Sequence, residues 1–169
     1  MVRQVVTEEF SDSDVGGDGL LLTRLTPPVQ PARMLRRARV ETALAEVMEY
    51  PLTTVSAPVG SGKTVALAAL AVYGGWPAAW CRVSDEDDPR LLLRHLAAAF
   101  RPVVAIDESR IGTLADAGTI SAALDALVNE LAAALDDETL LVIDDYHLAD
   151  ERPDPVSYTH LTLPTNREV

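Results

Sequence analysis

Between residues 51 and 77 the chain changes character three times, and the change at its centre restricts the fold more than any other stretch. Leu52, Thr53, Thr54, Val55 and Ser56 form a short β-branched run bounded by Pro51 and Pro58, the composition of a buried strand. Gly60 and Gly62 follow at once, and residues 64–72 then read as an alanine-rich helix stopped by Gly74 and Gly75. Glycine at this junction lets the backbone take conformations that a Cβ resists, so successive N–H groups turn inward as a nest for an anion. The helix that follows adds the partial positive charge of its N-terminus.

The residues within the junction sharpen this chemistry. Ala57, Pro58, Val59, Gly60, Ser61, Gly62, Lys63 and Thr64 fit a phosphate-binding loop, with alanine where the pattern usually has its first glycine. Lys63 reaches β- and γ-phosphates as a mobile point charge, the Thr64 hydroxyl ligates Mg²⁺, and Val65 continues the backbone cradle into the helix. The chain has 14 basic residues, of which 13 are arginine, so its single lysine stands where a flexible ammonium has a specific use. A pattern match gains weight from its strand–loop–helix setting, which the mechanism requires.

A second element follows some eighty residues later. Leu140, Leu141, Val142 and Ile143 form an apolar run of the buried parallel type, and it ends in Asp144 and Asp145. Such a strand carries its first carboxylate to the edge of a sheet, where Asp144 joins Thr64 in holding Mg²⁺, as in a Walker B motif. Asp145 then lies near the γ-phosphate and is the expected catalytic residue, orienting or deprotonating the attacking water. Asp85, Glu86, Asp87 and Asp88 precede Pro89 and read as a capping turn rather than a metal cluster. For His147, a role in sensing the nucleotide state and an ordinary packed or solvent-facing role weigh equally.

The remaining pattern places these motifs in an α/β frame. Apolar spacing predicts helices over residues 34–48, 88–100 and 119–135, and strands over 78–83 and 139–143. Residues 103–106 read either as a strand or as a buried loop edge, and the glycine-containing stretch after them reads as a loop. Strands alternating with helices imply a parallel sheet with helices on both faces. With 169 residues, 48% apolar, one domain is expected, divided into an acidic leader at 1–19, a domain at 20–155 and a tail at 156–169. The tail resembles adapter read-through, with an ordinary edge strand at 157–163 as the alternative, and His160 is given no role on either reading.

Charge and cysteine usage exclude several classes. A formal net charge of -12 repels phosphate backbones, so stand-alone nucleic-acid binding is not expected. Cys81 is the single cysteine and reads as a small buried side chain, which rules out an intrachain disulfide and suits a reducing compartment. No secretory signal and no apolar run of membrane-spanning length is visible, so a soluble, cytoplasmic protein without membrane partners is expected.

Taken together, three stretches resemble a known family. Residues 55–64, Ala79 and Trp80 followed by Ser84, Asp85, Glu86, Asp87, Asp88 and Pro89, and Ile143, Asp144, Asp145, Tyr146, His147 and Leu148 are similar, in order and spacing, to the nucleotide-binding domain of the STAND ATPases of MalT-like, large LuxR-type transcriptional regulators. Leu22, Thr23, Arg24, Leu25, Thr26, Pro27 and Pro28 are similar to that family's lead-in segment. The resemblance covers residues 20 to about 150. It implies a P-loop NTPase fold, incomplete at its C-terminal side, that binds ATP or ADP with Mg²⁺ and hydrolyses ATP slowly in the full-length protein. It further implies an inducer (a small molecule or a protein), ATP-dependent homo-oligomers, and DNA contact only through a helix-turn-helix absent from this chain. A small-molecule P-loop kinase is the alternative; it requires an arginine-bearing lid soon after the loop, where Gly74, Gly75, Trp76 and Pro77 offer none. A third reading is a non-catalytic fragment that folds poorly, because a parallel sheet lacking members leaves an edge and apolar faces exposed.

Overall fold

A computed structural model of the chain describes residues 20–30 and 38–150. The proposed leader and the tail with His160 lie outside the described residues. Two parallel strands form its centre, β1 (Ala78–Arg82) and β2 (Leu140–Asp144), in register from Ala78 opposite Leu140 to Arg82 opposite Asp144. The described residues add six helices: α1 (Ala38–Ala45), α2 (Lys63–Tyr73), α3 (Pro89–Ala99), α4 (Glu108–Asp116), α5 (Ile120–Ala134) and α6 (His147–Asp150).

Strand alternation divides the core between two faces. Trp80 and Val142 point to one side, where Ala68 of α2 meets them with Leu67, Ala71 and Leu140 around the contact. Ala68, fully buried, is the α2 residue set directly against Trp80 and Val142, and its small side chain leaves room for the indole. Ala79 and Cys81 point to the other side, against Ala98, Ala99 and Phe100 at the end of α3. Leu93 and Ala97 of α3, Ile111 and Ala115 of α4, and Ala123, Ala126 and Leu127 of α5 continue that core away from the sheet. Cys81 is fully buried, and burial pushes its thiol up to about 12, with the Arg24 charge opposing.

Local signals explain most of the helix bounds. Asp88 accepts the Leu91 N–H at 2.8 Å and Pro89 occupies the first helical position, so the acidic run at 85–88 begins α3 as a cap. Helix α4 replaces the expected loop. Its start is fixed by Asp107, which accepts from the Arg110 N–H at 3.1 Å and the Ser109 hydroxyl at 2.6 Å. Residues 103–106 form no strand; Val103 and Val104 donate back to the Phe100 carbonyl in a turn that extends α3.

The expected strand at 52–56 is also corrected, because among the described residues it joins no ladder. Leu52 and Val55 are exposed, and prolines at 51 and 58 remove backbone donors at both ends of the run. A β-branched composition favours extended backbone, but a strand needs a neighbour to exchange hydrogen bonds.

The segment before α1 is held to the sheet by one buried ion pair. Leu20 and Leu25 sink into the face carrying Ala79 and Cys81, and Arg24 lies between them at the end of a short 3-10 turn, Leu22–Arg24. Its guanidinium donates through Nη1 to Asp87 Oδ1 at 2.9 Å and through Nη2 to Asp87 Oδ2, while Nε and Nη2 also reach the Arg82 carbonyl at 3.0 and 2.9 Å. Ser84 N–H donates to Asp87 Oδ2 at 2.9 Å. Burial alone pushes the Asp87 carboxyl up, but the Arg24 and Ser84 hydrogen bonds outweigh it and hold it below 3.8. His95, equally buried, donates from Nδ1 to the Leu91 carbonyl at 3.0 Å, and burial followed by the Arg24 charge holds its ring below 6.5.

These two shifts give stability a defined pH dependence. As pH falls, the unfolded chain takes up a proton at His95 from about pH 6.5 and at Asp87 near pH 4, in each case before the native group does. Both contributions are present at neutral pH and are lost as pH falls. Urea denaturation across that range is expected to show a first decline below about pH 6.5. Asp87→Ala, which leaves Arg24 buried without its carboxylate, is expected to lower stability at neutral pH by about 3 kcal/mol.

Candidate functional site

The C-terminal ends of both strands, the loop at 57–62 and the first turn of α2 meet at one place. Gly60 and Gly62 have φ of 76° and 85°, in the left-handed region. A Cβ built on Gly60 meets nothing within 4 Å, so the requirement for glycine there is conformational and not one of space. Gly62 is the N-cap of α2, with no side-chain cap, which leaves the first N–H groups of the helix facing the loop. The first helical bond is Ala66 N–H to the Gly62 carbonyl at 3.0 Å.

Lys63 folds back across this loop. Its Nζ donates to the Ala57 carbonyl at 2.6 Å and to the Pro58 carbonyl at 3.2 Å, closing the loop on itself. Thr64 faces the other way, and its hydroxyl donates to Asp144 Oδ1 at 3.1 Å across 80 residues of sequence. That single contact joins the two elements singled out in the sequence. Ala57, Pro58, Val59 and Val65 are exposed, whereas Asp144 is only 4% exposed. The second Asp144 oxygen, Oδ2, is buried and has no hydrogen-bond partner.

An orphaned carboxylate oxygen beside a hydroxyl is what a hard cation seeks. Burial, then the neighbouring Asp145 charge, pushes the Asp144 carboxyl above its usual range, with Thr64 and Arg82 opposing. One carboxylate and one hydroxyl are a sparse donor set, and they suit Mg²⁺, which keeps most of its shell as water and phosphate oxygens. Among the described residues no group of three or more His, Cys, Asp or Glu side chains is placed to hold a metal.

Asp145 is directed elsewhere. Its φ of 57° is the only positive value among described non-glycine residues, and it splits the acid pair. Asp144 faces Thr64, while Asp145 Oδ2 accepts from Arg82 Nε at 2.9 Å and lies 2.9 Å from Arg82 Nη2. His147 is exposed at the start of α6. Arg82 belongs to no stretch singled out in the sequence, Arg24 and Asp87 were singled out only as members of longer stretches, and the pairings of these residues at separations of 63 residues have no local signature. The one available hint was an arginine ending the otherwise apolar run Ala78, Ala79, Trp80, Cys81.

Compared with protein-family models, curated proteins and solved structures, the chain matches none of them.

The Thr64 contact is separable from its shape. Thr64→Val keeps the branched side chain but removes the donor to a buried carboxylate, and is expected to lower stability by about 1–2 kcal/mol. Thr64→Ser keeps the hydroxyl and is expected to stay within about 0.5 kcal/mol of the parent. Equal losses in chemical denaturation would refute the hydrogen bond as the link between loop and strand.

Proposed function

We propose that residues 20–150 form the nucleotide-binding part of a STAND-type P-loop ATPase module, of the kind found in MalT-like, large LuxR-type transcriptional regulators. The observation that carries the reading is the Thr64–Asp144 contact, with the buried, partnerless Asp144 Oδ2 beside it. A loop with two left-handed glycines, a helix N-terminus without a side-chain cap and a lone lysine surrounds that pair. These are the parts that bind a polyphosphate, and they lie at the carboxyl ends of parallel strands.

In this reading the N–H groups of residues 60–65 hold the phosphates by charge-assisted hydrogen bonds. Lys63 exchanges its bonds to the Ala57 and Pro58 carbonyls for phosphate oxygens. Thr64 and Asp144 hold Mg²⁺, which when bound offsets charge on the phosphate chain. Asp145 orients water at the terminal phosphate, and Arg82 holds the carboxylate that does so. The lead-in segment, tied through Arg24 to the Arg82 carbonyl, fixes the base of this arginine. DNA binding, inducer recognition and ATP-dependent assembly are proposed for the full-length regulator and not for these residues.

Titration with a fluorescent ADP analogue tests the site. Binding is expected with Mg²⁺ and to weaken on chelation of the metal. Lys63→Ala is expected to reduce affinity about tenfold or more, the scale of a hydrogen bond to a charged group. Equal binding by the parent and Lys63→Ala removes the proposed site. Transfer of phosphate to a small acceptor, instead of release as inorganic phosphate, would favour a kinase.

A further inference from the structure

We propose that Arg82 is a specificity-determining residue which lets this site accept a nucleoside triphosphate alongside a diphosphate, by neutralising Asp145. The inference rests on the nucleotide reading above. It begins from a conflict in that reading: the edge that must receive a γ-phosphate carries two adjacent carboxylates.

The structure separates those carboxylates by giving each a different partner. Asp144 is buried against the Thr64 hydroxyl. The left-handed backbone at Asp145 turns its side chain toward β1, where both Nε and Nη2 of Arg82 lie 2.9 Å from Oδ2. Register makes the reach possible, since Arg82 stands opposite Asp144 in the parallel pair and its side chain extends one residue further. The base of Arg82 is anchored as well. Its carbonyl accepts two bonds from Arg24, and the following N–H, of Val83, donates to the Asp144 carbonyl at 3.0 Å.

Among the described residues, neighbouring cations do not duplicate this role. The Arg24 fork is engaged by Asp87 and the Arg82 carbonyl, and Lys63 Nζ, bonded here to the loop carbonyls, passes to phosphate oxygens in the nucleotide reading and not to Asp145. The Arg82 side chain is 56% exposed, so its charge stays at the solvent face of the edge while its position is fixed. In the nucleotide reading a triphosphate brings one more negatively charged phosphate than a diphosphate to an edge that carries two carboxylates. An unpaired Asp145 repels that charge and a paired one does not. Removing Arg82 therefore acts on triphosphate and spares diphosphate.

The test measures Kd for Mg·ADP and for the Mg complex of a non-hydrolysable ATP analogue, at low salt, on the 169-residue chain. Arg82→Ala is expected to weaken the ATP analogue about fivefold relative to ADP, the scale of a half-exposed ion pair. Arg82→Lys retains most of the preference, and Arg82→Ala combined with Asp145→Asn regains it. Arg94→Ala, which removes the same charge from the α3–α4 side, leaves the ratio unchanged. The proposal fails if Arg82→Ala weakens both nucleotides equally or neither, if the double variant shows the same loss, or if Arg94→Ala shifts the ratio alike. Failure of the site itself is read separately: a parent chain that binds neither nucleotide, or a Lys63→Ala variant that binds both as well as the parent, removes the nucleotide reading.

Discussion

The parallel pairing of β1 with β2 is the constraint from which the rest follows. Two parallel strands cannot be joined by a tight turn, so the chain between them must cross over, and here the crossover consists of α3, α4 and α5. Both faces of the pair must be covered, and the alternation of Trp80 with Ala79 and Cys81 assigns α2 to one face and α3 to the other. Because the strands run the same way, their carboxyl ends share one edge. Arg82, Asp144 and Asp145 are brought together by direction and register, before any side-chain chemistry acts.

That edge holds charges which a purely structural sheet would exclude. Asp144 is ionisable, nearly solvent-free and left with one oxygen unpaired, an arrangement that disfavours its charged form. Asp87 is buried to a similar degree, yet its two oxygens meet the Arg24 fork and the Ser84 N–H, and its charged form is favoured. The contrast separates two uses of a buried acid. Asp87 fastens the lead-in segment to the sheet; Asp144 has unused capacity for a ligand.

Short-range features were the legible ones. The Asp88 cap with Pro89, the glycines at 60 and 62, and the apolar periodicity of α5 are signals contained within a turn or two, and the structure places elements there within a residue or so of expectation. Helix α4 was missed because Gly112 and a run of Glu108, Ser109 and Arg110 mask its pattern, although Asp107 as cap and Ile111 with Ala115 on one face were present to be read. The strand expected at 52–56 failed for the opposite reason, since composition describes backbone preference and says nothing of a neighbour. The types of residue at the candidate site were legible, but their partners were not. Thr64 with Asp144 and Arg82 with Asp145 are meetings across 80 and 63 residues, which only the register of a folded sheet determines.

Cys81 carries a consequence of a different kind. It is the single thiol of the chain, lies in the middle of β1 with no exposed surface, and has its ionisation pushed up to about 12. Thiolate, the form that reacts with alkylating reagents, is thus suppressed twice over in the folded state, by chemistry and by access. Labelling of this sulfur requires its face of the sheet to be uncovered, by opening of the layer that Leu20, Leu25 and the end of α3 form over it. The molecule therefore contains a built-in clock for the transient opening of that layer, and slower labelling on addition of a ligand reports stabilisation of the folded state without any probe attached to the site.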